Sequence, residues 1–252
     1  MAPLIVFAIF TVIYVCFLLW IHRGLSGSIA RPGQFEPEPI SVIIAARNEA
    51  ANLPRLLSSL SLLEAPDSDY EIIIVNDHST DESSAILAPW DGEYKIKIIE
   101  FHSSIPGLLG KKAALQMGIE HARYDVLAFT DADCLVPSTW LKEIQAVMSP
   151  EIDYLLGYSL ILRTEADTDI RQVNFERSVY YALAAAGMYF RKPFTSSACN
   201  MVYRKSVFQA SGGFASIGHI LSGDDDLLLI KMMPKIRKAV YNPNPAMQIR
   251  SI

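Results

Sequence analysis

The segment Phe129-Thr130-Asp131-Ala132-Asp133-Cys134 places two carboxylates one residue apart, directly after the apolar run Val126-Leu127-Ala128-Phe129. A strand ending in such a pair exposes charge where its backbone leaves a sheet. A hard divalent cation shared with a substrate diphosphate asks for one or two carboxylates at such a place. The pair therefore predicts metal-assisted transfer chemistry. Three further segments carry acids beside apolar runs: Arg47-Asn48-Glu49, Asn76-Asp77-His78-Ser79 and Ser222-Gly223-Asp224-Asp225-Asp226. Taken singly, each has an ordinary explanation. Asn48 and Asp77 are turn formers, Ser79 and Asp81 helix caps, and Asp224 to Asp226 the acidic start of a helix over Leu227–Met233. Their recurrence at the same end of successive strands points instead to one crevice, because ligands of open α/β sheets gather at the carboxyl ends of the strands.

The elements that must position these residues follow from periodicity. Short β-rich runs, Ile40–Ala46, Glu71–Val75, Ile96–Phe101 and Val126–Thr130, alternate with helical patterns, which predicts an α/β fold with a mostly parallel sheet covered by helices. A first helix over Ala50–Leu63 carries Leu53, Leu56, Leu57, Leu60 and Leu63 at helical spacing. A second starts near Ser79-Thr80-Asp81-Glu82, a third covers Lys111–Ala122, and a fourth runs over Ser138–Met148 with Ser138 as its cap. An aromatic helix from Val173 to Phe190 reads as core or interface.

Leu4 to Ile21 is an 18-residue stretch without charge; at 1.5 Å per residue it spans about 27 Å, enough to cross a bilayer core. Trp20 lies at its end and His22, Arg23 and Arg31 follow. The positive-inside tendency then places the remainder in the cytoplasm, as a membrane protein with a single N-terminal pass. A cleaved signal peptide fits less well, lacking a basic n-region and a small-residue cleavage site. The expected division is an anchor over residues 1–22, a linker over 23–39 rich in Gly, Ser, Pro and Glu, and one catalytic domain over 40–252. The 252 residues are 51% hydrophobic and 19% charged with a net charge of −5, and no basic run marks a nucleic-acid-binding face. Three scattered cysteines, Cys16, Cys134 and Cys199, suggest neither a disulfide framework nor a thiolate zinc site, and fit a reducing compartment.

The strand-end segments, with Gly110-Lys111-Lys112-Ala113-Ala114-Leu115 between them, resemble the family 2 glycosyltransferases of GT-A nucleotide-diphospho-sugar transferase fold, over roughly Pro39 to Pro234. A lone Asp-x-Asp is a weak signal, but five ordered motifs are specific. The resemblance implies that Glu49 and Asp77 contact the nucleoside, whose uracil N–H and ribose hydroxyls suit carboxylate acceptors. It implies that Lys111 or Lys112 lies near the diphosphate. It also implies Mg²⁺ or Mn²⁺ on Asp133 and Asp131, with Asp133 a direct ligand and Asp131 touching ribose or metal-bound water. Inverting transfer needs a base on the acceptor side: Asp225 is the choice and Asp224 the alternate, the register of the acidic motif being open by one residue. Ser196 to Met201 resembles the acceptor-side segment, with Asn200 a candidate contact and Cys199 buried filler. The implied partners are a nucleotide-sugar donor, UDP-linked by preference, and a lipid-linked or saccharide acceptor at the membrane.

One departure stands out. The larger membrane-embedded members carry Gln-x-x-Arg-Trp and further membrane helices after the acidic loop, whereas no Trp follows Arg250 here. A truncated chain and a naturally short one both remain open, and a processive, polymer-extruding synthase is not expected from either. Two other readings share some of these motifs. A haloacid-dehalogenase-like Mg-dependent phosphohydrolase shares Asp-x-Asp and Gly-Asp-Asp but leaves Arg47-Asn48-Glu49 and Asn76-Asp77 without a role. A non-catalytic membrane-tethered scaffold would keep the fold and lack metal-dependent nucleotide binding. A dinucleotide oxidoreductase is disfavoured by the absence of Gly-x-Gly-x-x-Gly after the first strand.

Overall fold

The computed structural model describes residues 2–162 and 169–251. In chain order the elements are α1 (Ala2–Ser28), β1 (Ile40–Ala46), α2 (Leu53–Ser61), β2 (Tyr70–Asp77), α3 (Ser83–Leu87), β3 (Ile96–Phe101), α4 (Lys111–His121), β4 (Val126–Phe129), β5 (Cys134–Leu135), α5 (Trp140–Val147), β6 (Tyr154–Gly157), β7 (Ser159–Ile161), α6 (Ile170–Tyr189), β8 (Met201–Arg204), α7 (Lys205–Ala210), α8 (Asp226–Met232), β9 (Ala239–Asn242) and β10 (Ile249–Ser251).

Seven strands form the main sheet in the order β3-β2-β1-β4-β8-β6-β9. β8 runs antiparallel to both neighbours and every other pairing is parallel. A smaller sheet, β5-β10-β7, stands beside it. β1 is buried on both faces, which is why it reads as an unbroken apolar run. Val42 and Ile44 point to one core with Leu53, Leu56, Leu60 and Trp140; Ile43 points to the other with Ala114, Ile119, Tyr181 and Tyr203. The chain turns outward from β1 to β2 and β3, then returns to lay β4 parallel on β1's other side, so the order of strand addition reverses between β1 and β4. That reversal is where an open sheet forms a ligand crevice.

Several boundaries differ from expectation. α2 begins only at Leu53, because the backbone of Glu49 and Ala50 is held in a turn by side chains from beyond β2: Glu49 N–H donates to Ser83 Oγ at 3.0 Å and Ala50 N–H to Asp81 at 3.1 Å. β2 runs on through Asn76 and Asp77. Ser79 does not cap the next helix; its hydroxyl accepts from Asn48 N–H at 2.9 Å. Ser138 does not cap α5 either, its hydroxyl instead reaching Glu64 at 3.0 Å.

α1 is long and apolar enough to cross a membrane, with mean hydropathy 2.9 over its best window. It continues as helix to Ser28, six residues beyond the expected anchor, because its last turns rest on α6. Trp20 stacks on Phe190 at 5.3 Å, and a Cβ on Gly24 would come within 2.6 Å of Ala186. The expected linker is thus helical at its start, and Ala30 N–H then donates to Tyr241 O at 2.7 Å.

Candidate active site

The carboxyl ends of β1, β2 and β4 open onto a cleft of about 380 Å³ lined by Arg47, Glu49, Asp77, Lys111, Asp131 and Asp133, with Ala45, Ala46, Gly110 and Ala132. The turns after β1 and β2 are laced together beneath it. Asn48 and His78 both adopt left-handed backbone, φ 55° and 54°, a conformation that Asn and His tolerate better than most residues. Asn48 Oδ1 accepts from Thr80 N–H at 2.7 Å and fastens one turn to the other. Glu49 accepts from Asn52 Nδ2 at 2.8 Å, and the nearly buried Asp77 is hydrogen-bonded to His78 Nδ1 at 2.6 Å. Both carboxylates keep a second oxygen for a ligand.

Lys111 rises from the first turn of α4 and pairs with Asp131; its Nζ also lies 3.6 Å from Asp224 Oδ2. Burial opposes its charge, but the two carboxylates outweigh that and hold its pKa above the usual lysine value. Lys112 turns the other way. It is fully buried, donates to the carbonyls of Ile220 at 2.7 Å and Ser222 at 2.6 Å, and burial lowers its pKa. Of the two lysines left open by the sequence, Lys111 faces the cleft and Lys112 fixes the backbone that leads into the acidic loop.

That loop divides its acids. Asp224 turns toward Lys111, and its Oδ2 is buried with no hydrogen-bond partner among the described residues. Asp225 turns toward a second cleft of about 450 Å³, lined by Ile161, Val173, Glu176, Arg177, Tyr180, Ser196 and Ser197. Its carboxylate accepts from Ala198 N–H at 3.2 Å and Asp226 N–H at 2.7 Å, so it also caps α8. Burial, reinforced by the charges of Asp224 and Asp226, pushes its pKa up to about 6 despite those bonds.

Asn200 is a correction. Its side chain is fully buried, donates to the carbonyls of Tyr158 and Met247 at 2.9 Å each, and accepts from Trp140 Nε1 at 3.1 Å. Nothing of it is left for a substrate. Arg177 and Tyr180 were missed: Arg177 donates to the Ser159 carbonyl at 3.1 Å, and Tyr180 bonds the Ser196 carbonyl. A charged residue within an aromatic helix was the available signal. Arg47 also lines the first cleft, and the sequence assigned it no role of its own.

Asp131 and Asp133 suit a hard cation. Both offer oxygen at the end of β4, and among the described residues the Asp133 side chain is hydrogen-bonded only to the weakly donating Cys134 thiol, at 3.4 Å.

Comparison with known proteins gives these clefts a context. Residues 41–212 match the family described as Glycosyl transferase family 2, and the chain belongs to that family. It is 33% identical over 141 residues to the beta-monoglucosyldiacylglycerol synthase of Nostoc sp., a match covering 53% of this chain and 30% of that one. It is 26% identical over 187 residues to glycosyltransferase AglE of Haloferax volcanii, covering 74% and 58%. The chain thus spans about a third of the first of these relatives. Among solved structures, the mannosyltransferase PcManGT from Pyrobaculum calidifontis, in complex with GDP-Man and Mn²⁺, superposes with a TM-score of 0.70 at 18% identity, over 97% of this chain and 67% of that one. TarS 1–349 of S. aureus superposes with a TM-score of 0.65 at 17% identity, over 84% and 60%. The fold is the GT-A fold of that family, as the motifs implied. The phosphohydrolase reading falls with that assignment.

Proposed function

We propose that this chain transfers a sugar from a nucleoside diphosphate donor, UDP-linked by preference, to a lipid-linked or saccharide acceptor beside a membrane, with inversion at the anomeric carbon. One observation carries the reading: the adjacent Asp224 and Asp225 face different clefts, one turned to Lys111 and the donor-side carboxylates, the other to a separate cleft of acceptor size. Glu49 and Asp77 hold the nucleoside by accepting its N–H and O–H groups. Lys111 faces the diphosphate, its positive charge secured by Asp131 and Asp224. Asp131 and Asp133 would hold Mg²⁺ or Mn²⁺, which when bound offsets charge on the leaving diphosphate. As the acceptor oxygen bonds to the anomeric carbon and the bond to diphosphate breaks, Asp225 takes the acceptor's hydroxyl proton.

The lipid side of the reading is supported by α1 and by a relative named for a glucosylated diacylglycerol. Basic residues just after the apolar run favour a single pass with the catalytic domain in the cytoplasm. The donor class is supported by structural neighbours held with UDP-GlcNAc, at TM-score 0.61, and with GDP-Man.

The test is turnover of UDP-, GDP- and TDP-sugars by the purified full chain, alongside calorimetric binding of UDP with Mn²⁺. Asp133→Ala is expected to lose turnover and metal-dependent binding together. Asp225→Asn is expected to bind donor as the parent does and to transfer at least about a hundredfold more slowly. Full activity of Asp225→Asn overturns the base assignment. A parent chain that binds no nucleotide in the presence of the metal overturns the reading as a whole and leaves the scaffold.

A further inference from the structure

A carboxylate oxygen of Asp131 and the sulfurs of Cys134 and Cys199 all lie within 4.8 Å of one another. Cys134 stands on β5 and is almost fully buried; Cys199 comes from the short turn Ala198–Asn200 and is half-buried. The fold thus brings together two thiols that the sequence keeps far apart. Tetrahedral zinc, with Zn–S near 2.3 Å and Zn–O near 2.0 Å, needs its sulfurs about 3.8 Å apart and each sulfur about 3.5 Å from the oxygen. Closing the observed triangle onto an ion asks for a contraction of at most about 1.0 Å between the sulfurs and about 1.3 Å between a sulfur and the oxygen. Asp133 lies beside this triangle, its Oδ1 3.4 Å from Cys134 Sγ. Around Cys199, the hydroxyls of Ser197 at 3.2 Å and Ser159 at 3.5 Å orient the sulfur from outside, as supporting groups do in metal centres.

We propose that Cys134, Cys199 and Asp131 form a binding site for a thiophilic divalent cation of the zinc class, with water completing the coordination. Sulfur selects against Mg²⁺ and Mn²⁺, so this site is chemically distinct from the all-oxygen pair although it shares Asp131. Occupancy draws Asp131 away from Lys111 and competes with the hard cation for that carboxylate. The site is therefore inhibitory, a consequence that rests on the transfer reading, whereas binding itself does not.

The test uses the full chain carrying Cys16→Ser, so that two thiols remain, in detergent and under a non-thiol reductant. Titration with Co²⁺ is expected to raise a thiolate-to-metal charge-transfer band that saturates at one ion per chain. Zn²⁺ is expected to remove the band stoichiometrically, and Mg²⁺ at the same concentration to leave it. Zn²⁺ should also protect both thiols from iodoacetamide. Cys199→Ala, at the half-buried position, should diminish the band and weaken Zn²⁺ binding by roughly tenfold or more. Cys134→Ala should do the same, and if it fails to fold, Cys199→Ala carries the test alone. No charge-transfer band in folded protein, a band unchanged by Cys199→Ala, or recovery of the two thiols as a disulfide that binds no ion would each overturn the site. No donor sugar or turnover enters this readout, so its failure leaves sugar transfer untouched, and a failed turnover assay leaves the cation site standing.

Discussion

Asp225 does two things whose pH dependences run in opposite directions. Its pKa of about 6 in the fold, against about 4 in an unfolded chain, means that the native state holds the extra proton between those values. This group's stabilising contribution is therefore present below pH 4 and is lost as pH rises through 6. Proton acceptance needs the ionised form, so transfer should fall as pH drops through 6. A pH profile of kcat/KM is expected to show an acid limb near 6, and Asp225→Asn should remove that limb while raising the melting temperature at pH 8 relative to the parent. The two lysines offer a second contrast between neighbours. Lys111→Ala should raise KM for the donor and cost less stability than the loss of Lys112, since Lys111 is a partly exposed cation whose partners Asp131 and Asp224 border the open cleft. Lys112→Met should cost about 2 kcal/mol in denaturant unfolding, because the carbonyls of Ile220 and Ser222 lose their buried donor. Equal stabilities of the two variants would refute the division of labour. The sequence left these lysines undecided for a geometric reason: one residue along a helix rotates the side chain by about 100°, and only the packing of α4 on the sheet says which of the two meets the crevice.

α4 shows how a single element sets the position of the site. Its Gly118 lies against β1, where an added Cβ would stand 2.6 Å from Ile43 Cγ2, and Ile43 is fully buried and has nowhere to move. Gly118→Ala removes a helix-breaking residue worth about 1 kcal/mol but forces α4 away from the sheet, and overpacking of a tight core costs about 1–3 kcal/mol. The net expectation is a loss of about 1 kcal/mol with weaker donor binding, because Lys111 moves with the helix; an unfolding titration and nucleotide calorimetry check the two parts. Elements of this kind were legible where one local pattern decides them. The four parallel strands were legible from their apolar runs, and the acids after β1, β2 and β4 stood out because charge abruptly ends a buried apolar run. The start of α2 was not legible, since it is set by Asp81 and Ser83 reaching across from beyond β2. Nor was the burial of Asn200, whose three partners come from Trp140, Tyr158 and Met247, none of them near in sequence. α6 was legible by halves: its aromatic and small residues from Tyr181 onward fill the core as expected, whereas Arg177 and Tyr180 line the second cleft through contacts with Ser159 and the 195–197 segment.

The attachment of α1 to the rest of the molecule decides whether the second cleft has a fixed relation to a lipid surface. Leu4 to Leu19 are exposed along their length, with Phe7 at 70% and Phe10 at 67%, apolar surface of a kind that water tolerates poorly. From Trp20 onward the same helix lies on α6, through the Trp20–Phe190 stack and the close approach of Gly24 to Ala186, and the chain then joins β9 through Ala30 and Tyr241. α6 in turn supplies Val173, Glu176, Arg177 and Tyr180 to the wall of the cleft that Asp225 faces. One continuous set of contacts thus runs from the apolar helix to the second cleft. Two deletions separate anchoring from support. Removal of residues 1–19 should shift the protein from the membrane fraction to the soluble one while moving the melting temperature by no more than roughly 2 °C, because the lost surface touches little of the fold. Removal of residues 1–28 strips the cover from Ala186, Tyr189 and Phe190, and should lower the melting temperature by several degrees, about 2–4 °C for each kcal/mol of packing lost in a domain of this size. Equal melting of the two truncated forms would mean that α1 is only a tether, and that the cleft is free to turn relative to the membrane.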